Sequence, residues 1–220
     1  MNKPDKEPGG RRSGFRKALS AEGAAEYCQG RFDTSRRMRR LDRIERGFAA
    51  DLMALVGPEA AIQDAPGGSG RFFDIFRAAR SLTMLDFNQT MVDEAAAKAA
   101  GAPGVTLLQG DCANLPFEPG SFDLCFCMRL FHHLVDDALR LTVLGELARV
   151  SRRYVALSFY DCYCWRYLRR AILGKRPSGH SVALGRMVAL ARQAGGLRLV
   201  RKVPAVRWIE QQRMLLFEKG

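Results

Sequence analysis

Histidine and tryptophan are scarce in this chain, at three and two of 220 residues, and acidic residues are well outnumbered, at 23 against 35 Lys and Arg. No apolar run approaches the roughly 18 residues of a membrane-crossing helix, and the start has no apolar core of a secretory signal. These absences exclude a helical span from the reading and set a cytoplasmic location as the expectation. The six cysteines form no C-x-x-C pair and, with so few histidines, no regular ligand spacing, so neither a disulfide scaffold nor a metal site is expected. Cys125 and Cys127 alternate along an apolar run and read as packing residues on one face of a strand. Apolar residues make up 47% of the chain, enough for one ordinary domain of this length to bury a core.

What is present is a repeated pattern. Ala61-Ile62-Gln63-Asp64 is a short apolar run ending in an acid, and Ala65-Pro66-Gly67-Gly68-Ser69-Gly70 follows as a glycine-rich turn into a helix start. Glycine serves where backbone must take positive φ or approach a ligand closely, and a following helix start offers free N–H groups. Ser81 to Asp86 is a second run ending in a carboxylate, at the spacing of a βαβ unit that presents an acid to a ribose. After an alanine-rich helical stretch from Asn88 to Ala100, Val105 to Cys112 repeats the pattern around Asp111, and Ser121 to Met128 supplies a fourth strand that runs into Arg129-Leu130-Phe131-His132-His133-Leu134. In an open doubly wound sheet the ligand crevice lies at the carboxyl ends of the strands, so these polar endings are expected to converge.

From Ala61 to about Tyr160 the chain resembles the class I S-adenosylmethionine-dependent methyltransferases, the seven-strand Rossmann-like group, and within it the small-molecule type 11 branch. That family's loop commonly reads D-x-G-x-G-x-G; here it is Asp64-Ala65-Pro66-Gly67-Gly68-Ser69-Gly70, with proline in place of the first glycine. The resemblance implies an α/β fold with a doubly wound seven-strand sheet, mostly parallel, an antiparallel C-terminal hairpin strand and N-terminal helices. It implies S-adenosyl-L-methionine as cofactor, held by the loop residues Pro66, Gly67, Gly68 and Gly70. Asp86 would hold the ribose hydroxyls, with Phe87 beside it. Asp111 would accept from the adenine amino group near the Cys112 N–H, and Asp64 and Met128 would sit at the methionine amino end.

Other glycine-loop chemistries fit less well. The glycines at 67, 68 and 70 lack the G-x-G-x-x-G spacing of a dinucleotide site. The loop is also similar to that of the heat-shock type ribosomal RNA 2′-O-methyltransferases, but their lysine-rich tetrad is not evident. Where RNA cytosine methyltransferases carry a nucleophilic cysteine, this chain has Gly67, and the fourth strand does not end in N-P-P-Y.

Along the chain, residues 1–14 read as a polar disordered tail and residues 15–220 as one methyltransferase domain: an N-terminal helical segment (15–55), a cofactor-binding core (61–160), a substrate-side insert (161–195) and a closing hairpin (197–219). Met38, Leu41, Ile44 and Phe48 recur at helical spacing among arginines that read as a solvated face. Arg31, and alternatively Arg36, is a candidate for the methionine carboxylate, which a guanidinium matches in shape. His133 and then His132 are the candidate bases, since imidazole titrates in the useful range. Either histidine has an alternative reading as a cap for the helix near Asp136. Tyr160, Trp165 and His180 are the candidate acceptor contacts. The net charge of +12 suits nucleic acid, anionic lipid headgroups and acidic small molecules alike; the aromatic, basic insert after the fifth strand favours a small-molecule or lipid-linked acceptor, which the charge allows to be anionic, over nucleic acid, and is compatible with peripheral membrane contact. A non-catalytic module that keeps the fold as a binding surface is the third reading.

Overall fold

A computed structural model describes residues 35–174, 180–204 and 211–220. Seven strands form one sheet: β1 (Ala61–Asp64), β2 (Ser81–Asp86), β3 (Val105–Gln109), β4 (Phe122–Cys127), β5 (Ser151–Tyr160), β6 (Arg198–Pro204) and β7 (Gln212–Glu218), in the spatial order β3-β2-β1-β4-β5-β7-β6. The first five run parallel. β7 is inserted antiparallel between β5 and β6, with Tyr154 opposite Glu218 and Tyr160 opposite Gln212. The order reverses beside β1, and this switch point opens a crevice at the carboxyl ends of the strands.

Helices cover both faces. On one, α1 (Arg36–Val56), the four-residue α2 (Phe73–Phe76) and α3 (Gln89–Ala99) bury Phe48, Leu52, Phe73, Phe76 and Ala95 against Ile62, Met84 and Phe126. On the other, α4 (Asp137–Val150) and α6 (Leu184–Gly195) pack together and bury Leu144, Leu147, Met187 and Leu190 against Cys125, Cys127 and Leu157. Phe126 meets Phe72 and Phe76 edge to face, each at 4.9 Å between ring centroids, so the chain after the glycine turn is pinned to the middle of the sheet.

Local chemistry sets the helix ends. Ser35 accepts from the Met38 N–H at 3.2 Å, Asn88 from Thr90 at 2.9 Å and Asp136 from Leu139 at 2.8 Å. Asp136, and neither histidine, therefore caps α4. The insert beginning at Asp161 divides: α5 (Trp165–Ile172) leaves Trp165, Leu168 and Ile172 exposed, whereas α6 belongs to the core.

The spacing on α1 gave an apolar stripe through Ile44, but Ile44 is half-buried and its neighbour Glu45 is fully buried. Glu45 receives Arg71 from the glycine loop, the Arg129 Nε at 2.9 Å from the turn after β4, and the Gln212 amide from β7. A carboxylate in the interior is tolerated when donors surround it in this way. Around the helix, Arg71 Nε also meets Asp42 at 2.9 Å and Arg46 pairs with Asp74.

Deleting this hub leaves two guanidinium groups without their buried counter-charge. Glu45→Ala is expected to lower the urea unfolding free energy by about 3 kcal/mol or more. Asp51→Ala, which removes the half-exposed partner of Arg201, is expected to change it by no more than about 0.5 kcal/mol. Equal losses would show that the hub adds nothing beyond a surface pair.

Candidate active site

The glycine turn leaves β1 at Asp64 and returns toward the sheet through the Gly67 N–H, which donates to the Leu85 carbonyl at 2.9 Å. Gly68 and Gly70 take φ of 53° and 70°, values that side chains disfavour. A Cβ at Gly67 would lie 3.1 Å from both the Asp64 carbonyl oxygen and the Met84 Cβ, so the loop can lie this low only without one.

Asp86 closes β2 and accepts the Gly68 N–H and the Asn88 N–H, each at 2.9 Å. Burial raises its pKa, and the N–H bonds from Asn88, Gly68 and Phe87 oppose that rise. Beside it, Phe87 presents a ring 42% exposed. Asp111 follows β3, accepts the Ala113 N–H at 2.9 Å and holds a short bridge to Asn114, which places the buried Cys112 under it. Burial pushes the Cys112, Cys125 and Cys127 thiols well up, so all three are protonated packing groups at neutral pH.

Asp64 is 1% exposed, and neither carboxylate oxygen has a hydrogen-bond partner in the structure. Its pKa is raised well above the usual range, first by burial and then by the Asp86 charge, against the pull of Arg71. A buried carboxylate left this way fits a cationic ligand group such as an aminium. A low glycine loop, an unpaired acid and two further acids at successive strand ends together suit a nucleoside that carries an amino acid.

The histidine pair expected to meet the acceptor lies where β4, β5 and the insert join. Met128 is buried, and Arg129 after it has φ 60°, in the left-handed region that a residue with a side chain enters at a cost of about 1 kcal/mol. The Arg129 N–H to the Ser158 hydroxyl, 2.7 Å, and its guanidinium on Glu45 hold that turn. His132 is buried and stacks on Tyr160 at 4.2 Å with 11° between ring planes, and its own carbonyl accepts the His180 N–H at 2.9 Å. His133 is half-buried, 4.0 Å from His132 ring to ring. The fold thus brings together His132, His133, Tyr160 and the backbone of His180. Trp165 stands apart, exposed on α5, as does Arg36 at the start of α1; Arg31 lies outside the described residues.

Sequence reasoning missed Glu45, Arg71 and Arg129, which hold the cofactor loop and the turn after β4. The signal was there, since Glu45 is four residues from Leu41 on a helix that also buries Phe48 and Leu52. Arg71 directly follows the glycine turn.

Asp64 also gives the ligand-free protein a pH signature. Its folded pKa lies above the unfolded value of about 3.9, so the stability it contributes is full below that value and is lost as pH rises through the folded pKa. Without ligand, Asp64→Asn is expected to gain thermal stability relative to the unsubstituted protein as pH rises from about 4 toward neutrality. Melting curves that stay parallel over that range would show that the carboxylate is not strained.

Residues 62–153 match the family model described as a methyltransferase domain. A protein of Encephalitozoon cuniculi (strain GB-M1) named "Putative methyltransferase ECU09_1500" is 32% identical over 94 residues; the match spans 43% of this chain and 41% of that protein, less than half the length of the relative. The solved magnesium protoporphyrin IX methyltransferase of Synechocystis PCC 6803 with bound SAH is similar in fold at TM-score 0.78 and 17% identity, over 95% of this chain and 100% of that one. The same enzyme with bound SAM gives 0.74 and 16%, over 100% of both chains. A SAM-dependent methyltransferase from Methanosarcina mazei gives 0.64 and 15%, over 77% of this chain and 96% of that one. Residues 62–153 therefore match a methyltransferase domain, and the chain has the seven-strand fold seen in the solved S-adenosylmethionine-dependent methyltransferases.

Proposed function

We propose that the protein methylates a small-molecule or lipid-linked acceptor. The observation that carries this reading is the convergence of Asp64, Asp86 and Asp111 at one edge of the sheet with an aromatic and imidazole wall, His132 stacked on Tyr160, beside them. When bound, the cofactor supplies a methyl group on a positively charged sulfur, whose S–CH3 bond breaks as the acceptor–CH3 bond forms and leaves its electron pair on sulfur.

In this reading the chain's own residues mainly position the reactants. Asp86 accepts the two ribose hydroxyls, and the glycine loop of Pro66, Gly67, Gly68 and Gly70 lies under the nucleoside. Asp111 accepts from the adenine amino group near the Cys112 N–H, with the Phe87 ring at the rim. Asp64 faces the aminium, next to the Met128 backbone. Orientation of this kind can account for most of the rate in a displacement whose carbon is already activated. An acceptor hydroxyl or carboxylic acid must also lose its proton, and the more accessible His133 imidazole takes it, while His132 and Tyr160 wall the acceptor. The His180 N–H on the His132 carbonyl ties the insert to this wall. A small acceptor is supported by the fold shared with an enzyme whose name gives magnesium protoporphyrin IX as what it methylates.

Calorimetric titration with S-adenosylhomocysteine tests the cofactor assignment. Asp86→Ala is expected to weaken binding by about 100-fold, the loss of two hydrogen bonds to a charged group. A variant that binds like the unsubstituted protein would remove Asp86 from the site. With an acceptor found by transfer of labelled methyl to fractionated small molecules and lipids, His133→Ala is expected to lower kcat and to remove its dependence on pH near neutrality. A lowered kcat with an unchanged pH profile would make His133 a wall residue.

A further inference from the structure

The segment after β5 leaves the body and returns to it. It is closed at its base by the Val182 N–H on the Tyr160 carbonyl at 2.8 Å, the Cys162 N–H on the Val182 carbonyl at 3.3 Å, and the His180 N–H on His132. Asp161 is buried at this base and holds Arg213 and the Tyr163 N–H. The excursion is therefore rooted in the acceptor wall itself.

Its outer part is α5, about 12 Å long. Trp165, Leu168 and Ile172 follow the helical repeat on one stripe, at 58, 52 and 72% exposure. Tyr163 before the helix and Leu173 after it are exposed at 75 and 55%. Among the described residues these make up five of the nine large hydrophobic side chains exposed at the surface, gathered within eleven positions of the chain. Residues 165–176 also contain five Arg and Lys and no Asp or Glu, in a protein of net charge +12.

We infer that α5 and its flanks dock the protein on the surface of an anionic lipid bilayer. A short helix with tryptophan and aliphatic residues on one stripe and arginine beside it suits the boundary between headgroups and acyl chains, where the apolar side chains sink and the cations meet lipid phosphates. Leu168, Ile172 and Leu173 offer nothing to a phosphate backbone or a base stack, which sets this surface apart from an RNA footprint. A second copy of the chain would bring two clusters of like charge together. The root of the excursion lies at Tyr160 and His132, so the inference, which rests on the proposed function, favours its lipid-linked acceptor.

The test is flotation of the full chain with phosphatidylcholine vesicles, with and without phosphatidylglycerol, at low and high salt. Binding is expected only to the anionic vesicles and is expected to weaken as salt rises. Leu168→Glu with Ile172→Glu should weaken it by at least about tenfold, and Arg169→Glu should weaken it and reduce its salt dependence. S-adenosylhomocysteine binding by each variant should match the unsubstituted protein, so a failure of membrane docking is distinguishable from a failure of the cofactor assignment. Absence of flotation, or equal flotation by the double glutamate variant, overturns the inference. So does binding of single-stranded RNA in preference to vesicles, or a dimer in sedimentation that the double variant abolishes.

Discussion

One buried carboxylate holds the working end of this molecule together. Glu45 stands on α1, yet its partners come from the loop after β1, the turn after β4 and the start of β7. Those three segments lie far apart in the sequence, at Arg71, Arg129 and Gln212. A charge taken out of water needs donors on every side, and here each donor comes from an element that must be in register before the site exists. Arg129 shows the consequence, since its left-handed backbone is held by its own ion pair and by Ser158.

From that anchor the division of labour is spatial. The switch point beside β1 gathers Asp64, Asp86 and Asp111 at the carboxyl ends of β1 to β3, and β4 and β5 lead into His132, His133 and Tyr160. The carboxylates differ in environment. Asp86 already accepts two backbone N–H groups, whereas Asp64 lies buried without a hydrogen bond. Such an acid is costly while it stays ionised and becomes favourable only when a cation meets it.

The insert carries two structures with different physics. α6 buries Met187, Leu190 and Ala191 against α4 and completes the helical layer. α5 leaves Trp165, Leu168 and Ile172 in solvent. Both read in sequence as part of one substrate-side segment, because apolar periodicity marks a face without saying what covers it. The same limit explains Glu45: spacing points to Ile44, which does pack partly against the core, while the donors of three distant segments draw the neighbouring glutamate fully inward.

By itself the sequence determined the strands β1 to β5, the acids at or just past the ends of β1 to β3 and the glycine turn, because short apolar runs and the need for backbone without Cβ are local properties of consecutive residues. The antiparallel hairpin strand was legible through family resemblance, and its register was not. Only the tertiary structure decided that Glu45 faces inward, that His132 lies on Tyr160 with His180 at its back, and that α5 keeps its apolar stripe outside. Each of these depends on contacts between residues tens of positions apart, which no local spacing encodes.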